Sequence, residues 1–355
     1  MCIIVWVLYG LKSSGAAYRK HFAESLLELG FEICYADADV WRRLGIKRDG
    51  SKYYEYLLTY VDDYLVVSEE TGKIIKTLKG DPYNYILKDV GPPVKYLGAK
   101  CGKYNLGDGE AWYMSAELYL HHAIKEIERK WGNISCISNR QNLDIPANQK
   151  YHPEIDTSNF LNDDDTQLYQ SYIGILRWAV ELGRVDLSYA AGRMTCFSVA
   201  PRKGHLHALL LIFAYCKKHD KSKLVFDHHK KDWSSVKWVE YDWKCFYENI
   251  TGETLPPNMS EARGKSVQLN LFCDAAHATC LQTRCSTTGF IFFLNGAPIT
   301  WYSKRQNTLE GSTFGSEFVA AKIAIKMNDA IRYKLRMMGI PLDGQTNCFC
   351  DNKSV

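Results

Sequence analysis

The 355-residue sequence predicts a mixed architecture. An α+β N-terminal part with an antiparallel sheet leads into a helical middle, followed by a C-terminal α/β part with a mixed sheet. Three observations carry this reading. Aromatic and β-branched runs flank an Asp-Asp pair in LLTYVDDYLVVS (Leu57 to Ser68), which reads as two short strands joined at or near the aspartates. Residues 167 to 219 carry amphipathic helical spacing. From Val267 onward the pattern becomes strand, strand, strand, helix, strand.

Taken in order, MCIIVWVLYGLK is apolar and reads as a strand from a core. It lacks a basic start and is too short to span a bilayer. Residues 11 to 30 place Ala17, Phe22, Leu26, Leu27 and Leu29 on a helix that stops at Gly30. Strands at Tyr53 to Tyr60 and Tyr64 to Val67 follow, then a helical or mixed stretch up to the turn at Gly91 to Pro93. Strands around Lys95 to Lys103 and Glu110 to Met114 complete the order α, β, β, α, β, β.

Residues 115 to 131 are helical in pattern, and a polar connection from Asn133 ends in Asp163-Asp164-Asp165. That triplet suits the start of a helix, where the dipole favours negative charge. Helices are expected over Gln167 to Leu182, Asp186 to Phe197 and His205 to His219. The Trp-rich piece from Asp227 to Gly264, with Pro256-Pro257, reads as a linker or insertion. Val267, Leu269 and Leu271 then alternate with polar residues in a strand that ends in Asp274. GFIFFLNGAPITWYSKRQ is a hairpin turning at Asn295-Gly296. Positions 317, 320, 324, 328, 331, 335 and 338 share one helical face, closed by Gly339 and Pro341, and NCFCDN is a strand ending in Asp351.

Composition excludes several classes. With 46% hydrophobic and 24% charged residues, neither disorder nor a coiled coil is indicated. A formal charge of +4 is too mild to require a polyanionic partner, although local basic clusters remain open to phosphate. Twelve cysteines without a CxxC pair read as reduced thiols of an intracellular protein. Cys348-Phe-Cys350, His121-His122, His205-x-His207 and His228-His229 lack zinc-finger spacing.

Two sets of acids stand out. Asp62 and Asp63 are adjacent like charges in an apolar run, so each needs exposure or a cation. At a hairpin tip they would suit Mg²⁺, and an ordinary turn with solvated carboxylates is the other reading. Asp274, Glu317 and Asp351 end two strands and open one helix, so they can converge on one sheet edge and hold two divalent ions. Taken singly, they are two turn residues and an N-terminal helix charge. His277 reads as a loop or core histidine, since imidazole is a soft choice for Mg²⁺, and Trp178 and Trp301 read as core.

Local motifs reach further. LYGLKSSGAAYRKHF, TYVDDYLVV, LKDVGPPVKYLGAKCG, LYQSYIGILRWAVELGRVDLSYA, FCDAAHA, RCSTTGFIFFLNGAPITWYSKRQ, STFGSEFVAAK and CDNKSV occur in this order. The order resembles the polyprotein of copia-type long-terminal-repeat retrotransposons over nearly the whole chain. The resemblance implies a partial reverse-transcriptase palm over residues 1 to 120 and a helical thumb/connection over 121 to 230. A linker or insertion would cover 231 to 266, and an incomplete ribonuclease H-like domain 267 to 355. It implies that Asp62 ligates Mg²⁺, that Asp63 supports the metal site and that Tyr60 packs beside the primer end. Gly10 to Ala16, with Gly10 and Lys12, matches a segment near the template and incoming nucleotide. Tyr96, Leu97 and Gly98 resemble a primer-grip turn. Asp274, Glu317 and Asp351 match metal-binding acids of the ribonuclease, and Lys304, Arg305 and the basic face around Arg202-Lys203 are expected on an RNA/DNA hybrid. The implied chemistry is phosphoryl transfer with two Mg²⁺ per complete site, on an RNA template with a DNA primer.

Departures from the pattern set a further expectation. The family's additional palm aspartate and its fingers would precede Met1, and Asp37 and Asp39 lie in the wrong order to replace it. A fourth ribonuclease acid would follow Val355. Fewer charged oxygens mean weaker binding of hard cations, so this chain alone is expected to show little polymerase and at most trace nuclease activity. The alternative is a degenerate or domesticated nucleic-acid-binding protein without catalysis.

Overall fold

The computed structural model describes residues 14–136, 143–147, 150–238, 245 and 253–352. They fall into two compact units: Met1–Pro92 with Asp232–Val267 and Asp329–Asp343, and Pro93–Lys231 with Gln268–Asn328 and Gly344–Val355.

In the first unit, α1 (Ser14–Glu28) precedes β1 (Glu32–Cys34), β2 (Asp37–Ile46), β3 (Lys52–Tyr60) and β4 (Asp63–Val67), and α2 (Thr71–Lys79) follows. The four strands form an antiparallel sheet in sequence order. Successive strand residues point to opposite faces, and the register shows how both faces are used. Trp41 pairs with Leu57, and both pack against Phe22 and Leu26 of α1 and Ile74 and Leu78 of α2. Val40 pairs with Leu58 one residue along and faces the other way, toward Cys34 and Met337.

The sequence pattern assigns no strand to residues 32 to 46, where β1 and β2 lie. Five charges, Glu32, Asp37, Asp39, Arg42 and Arg43, break up the apolar alternation there. Arg42 is nevertheless only 6% exposed. Its guanidinium donates to the Met337 carbonyl at 2.7 Å and pairs with Glu32 at 2.8 Å, which satisfies a group otherwise costly to bury. Residues 232 to 267 group with this unit, and Arg263 N donates to the Gly339 carbonyl at 2.9 Å.

The second unit contains two four-stranded sheets. One is antiparallel: β5 (Lys95–Tyr96), β6 (Ala99–Asn105), β7 (Glu110–Ser115) and β8 (Leu224–Val225). Four helices, α3 (Glu117–Trp131), α4 (Asp163–Glu181), α5 (Ser188–Thr195) and α6 (Lys203–Lys218), share its largest core. Leu120, Ile127, Tyr169, Leu176, Leu209 and Phe213 are fully buried there. Asn162 caps α4 by accepting from Asp165 N at 2.7 Å, so the acidic triplet forms the first helical turn.

The other sheet is mixed. Its order is β11 (Ala297–Arg305), β10 (Thr287–Leu294), β9 (Leu269–Ala276), β12 (Asn347–Phe349), with only β12 running parallel to its neighbour. The long helix α7 (Thr313–Met337) joins β11 to β12; residues up to 328 group with this unit and the remainder with the first. Among the described residues no helix is long and apolar enough to cross a membrane.

Candidate metal centres

In the first unit, Tyr60 pairs with Asp63, leaving Val61 and Asp62 as a two-residue turn. Val61 has a φ of 56°, a left-handed conformation that is strained for a β-branched residue. The turn holds both aspartates out in solvent. Among the described residues no lysine or arginine lies within 4 Å of either carboxylate. A cleft of about 900 Å³ opens beside the turn, lined by Tyr18, Arg19, Asp39, Trp41, Tyr60 and Asp62 among others. Asp39, which chain order sets aside as a replacement acid, thus lines the same cleft as Asp62. Its carboxylate is engaged by Arg19 at 2.8 Å. Gly10 and Lys12 lie outside the described residues.

Tyr96 and Gly98 belong to the second unit. Tyr96 pairs with Ala99 across a two-residue turn in which Leu97 and Gly98 both have positive φ, 50° and 90°. This is the hairpin geometry that glycine favours.

The three remaining acids come together. Asp274 sits on β9, the strand paired with both β10 and β12, and is exposed. Glu317 lies in the first turns of α7 and is 7% exposed. Asp351 follows β12. The Glu317 and Asp351 carboxylates and the Cys350 thiol each offer a ligand atom within 4.8 Å of the others. The Asp274 carboxylate lies within hydrogen-bonding reach of Glu317.

Burial pushes Glu317 up to about 7, and the charges of Asp274 and Asp351 add to the shift. Glu317 Oε2 is buried and receives no donor from the described residues. Two ionised carboxylates have no proton to share, so the cluster is satisfied only by holding a proton or a cation. A buried, donorless oxygen beside two further carboxylates fits a hard divalent ion such as Mg²⁺. The thiol of Cys350 is the discordant donor.

Gln306 is a positioning residue that sequence reasoning does not single out, and His277, read there as a loop or core histidine, shares Ser316 with it. Gln306, 4% exposed, donates to Thr288 Oγ1 on β10 at 3.0 Å and to the Ser316 carbonyl at 2.9 Å. It thereby ties the residue before Glu317 to the sheet. His277 is half-buried and faces Ser316 Oγ at 3.3 Å. Cys350 and Asp39 enter their clusters through tertiary packing alone. The eleven described cysteines are all free.

The basic residues are placed differently. Lys304 and Arg305 are exposed at the end of β11 and line a cleft of about 260 Å³ with Tyr189, Arg193 and Cys280. None of the three acids lines that cleft. Arg202 is partly spent: it lies 3.8 Å above the Phe160 ring and donates to the Ser158 carbonyl at 2.5 Å.

No family model matches the chain, and no solved structure matches it. Its curated relatives include copia-type retrotransposon Pol polyproteins, at modest identity over most of the chain. Over 355 residues, all of this chain, it is 25% identical to the retrovirus-related Pol polyprotein from transposon TNT 1-94 of Nicotiana tabacum. Over 352 residues it is 22% identical to the Pol polyprotein from transposon RE1 and 21% to that from RE2, both of Arabidopsis thaliana. The chain spans 23% of the first of these proteins and 20% of each of the other two.

Proposed function

We propose that this chain is the reverse-transcriptase and ribonuclease H segment of a retrotransposon polyprotein, built for phosphoryl transfer with two Mg²⁺ per complete site. The convergence of Asp274, Glu317 and Asp351 from β9, α7 and the end of β12 carries the reading. Similarity to transposon Pol polyproteins over the full chain supports it.

Residues 1 to 120 are read as a partial palm, with Asp62 as metal ligand, Asp63 supporting it and Tyr60 beside the primer end. The helices α3 to α6 are read as thumb and connection, and the mixed sheet with α7 as the ribonuclease module. Bound Mg²⁺ would supply Lewis acidity and a nucleophilic water to the scissile phosphodiester. The chain's own contribution starts with a proton: Glu317 must release it before all three carboxylates can face an ion. Gln306 keeps the start of α7 against β10, which fixes Glu317 relative to Asp274. Lys304 and Arg305, exposed at the end of β11, would meet the backbone of an RNA/DNA hybrid.

Both sites are read as weak in this chain alone. Asp39 is drawn off by Arg19, which leaves Asp62 and Asp63 as the hairpin's unengaged acids. The purified 355-residue protein is therefore expected to give no extension of a DNA primer on an RNA template above background. With Mn²⁺ it should cleave the RNA of an RNA/DNA hybrid only slowly, and Asp274→Asn should abolish that cleavage. Hybrid binding should weaken steeply with salt and fall further in Lys304→Ala/Arg305→Ala. Robust primer extension, cleavage that survives Asp274→Asn, or salt-independent binding would each contradict the proposal.

A further inference from the structure

Far from the acids in sequence, the second unit gathers a second set of metal donors. Strand β7 pairs with both β6 and β8, which brings the β6–β7 turn and the residues after β8 to the same end of the sheet. Asp108 lies in that turn and Asp227-His228-His229 follow β8. The Asp227, His228 and His229 side chains each offer a ligand atom within 4.8 Å of the others.

The internal hydrogen bonds orient one imidazole. Asp227 Oδ1 accepts from the His229 backbone N at 3.0 Å and from His229 Nδ1 at 2.8 Å. A neutral His229 ring that donates from Nδ1 to Asp227 offers the lone pair of Nε2 to a metal. A carboxylate behind a histidine in this way is the usual outer partner of a metal-bound imidazole.

His229 Nε2 lies 3.4 Å from Asp108 Oδ2. Two ligands at roughly 2.0–2.2 Å from a tetrahedral ion sit about 3.3–3.6 Å apart, so this spacing accepts an ion between them with little movement. The exposed His228 ring lies against His229, tilted by 36° with centroids 4.2 Å apart, and can swing to add a third donor.

The loop is held in place. Asn295 Nδ2 donates to the His228 carbonyl at 2.9 Å. Lys231 exchanges hydrogen bonds with the Gln268 side chain through its backbone N and O, each at 3.3 Å. A Cβ on Gly296 would fall 2.4 Å from Asp227 Oδ2, so only glycine leaves room for that carboxylate. The opposing charge is Lys231 Nζ, 3.1 Å from Asp227 Oδ2.

We propose that Asp108, His228 and His229, oriented by Asp227, bind a borderline transition ion of the zinc class. Two imidazoles and one carboxylate select such an ion over Mg²⁺, which prefers oxygen throughout. The proposal is independent of the acid cluster around Glu317.

Co²⁺ titration of the full 355-residue Cys350→Ser protein in excess Mg²⁺ tests it, read by visible d–d absorption and calorimetry with Zn²⁺. The serine variant removes the thiol donor at the other cluster. One ion per chain should bind, His228→Ala/His229→Ala should abolish binding, and Asp227→Asn should weaken it about 10–100-fold. Lys231→Ala should tighten it, an effect that a merely structural role of the loop would not produce. Failure to bind one equivalent, or binding unchanged in the double histidine variant, would overturn the assignment.

Discussion

Replacing Glu317 with glutamine is expected to flatten the pH dependence of stability of the metal-free protein. Burial, then Asp274 and Asp351, raise the Glu317 carboxyl from 4.5 to about 7 in the folded chain. Between those values the native state holds a proton that the unfolded state has lost, so the free energy of unfolding falls as pH rises. The stabilisation is fully present below pH ~4.5 and gone above pH ~7. Its size is on the order of 3 kcal/mol, from about 1.4 kcal/mol for each pH unit separating the two states.

Glutamine carries no titrating proton and no charge, so Glu317→Gln should lose this slope and exceed the parent in stability at pH 8 in EDTA. Adding Mg²⁺ should reverse the ranking, because the parent then gains a counter-ion that the variant binds poorly. Urea midpoints from pH 4.5 to pH 8, with and without Mg²⁺, report both effects. An unchanged slope in Glu317→Gln would show that the acids do not repel one another as the geometry requires.

Asp186→Ala is expected to destabilise the second unit by about 3–5 kcal/mol, the cost of leaving a buried charge without its partner. Arg184 is 2% exposed. Its Nε and NH2 donate to the two Asp186 oxygens at 3.0 and 2.8 Å, and Tyr215 OH donates to the same carboxylate at 2.9 Å. Arg184 NH1 already lacks a partner among the described residues, so nothing in place can take over. Adding Arg184→Met to Asp186→Ala removes the stranded cation and should recover most of the loss. Urea unfolding of the single and double variants decides it: a double variant no more stable than Asp186→Ala would rule out the buried charge as the cause.

Much of the fold is legible in the sequence wherever one face of an element is apolar. The Tyr60-to-Tyr64 hairpin, the helices around Tyr169 and Phe213 and the Asn295-Gly296 hairpin all follow from local pattern. Strands β1 and β2 do not, because Arg42 on β2 is buried through the Met337 carbonyl, a long-range partner that no local window contains. The same limit governs the sites. Asp274, Glu317 and Asp351 can be singled out as acids at element ends, but the unpartnered Glu317 oxygen that makes them a cation site exists only after folding. Cys350 is visible as one of a close cysteine pair, yet its place beside Glu317 depends on β12 running parallel to β9. Asp39 shares a cleft with Asp62 because β2 pairs with β3, whatever its position along the chain.

The most direct test is anomalous diffraction from crystals of the chain soaked in Mn²⁺. A peak is expected against Glu317 Oε2, shared with Asp274 and Asp351, and it should disappear in Glu317→Gln. Saturating Mn²⁺ with no peak at these three carboxylates would contradict it.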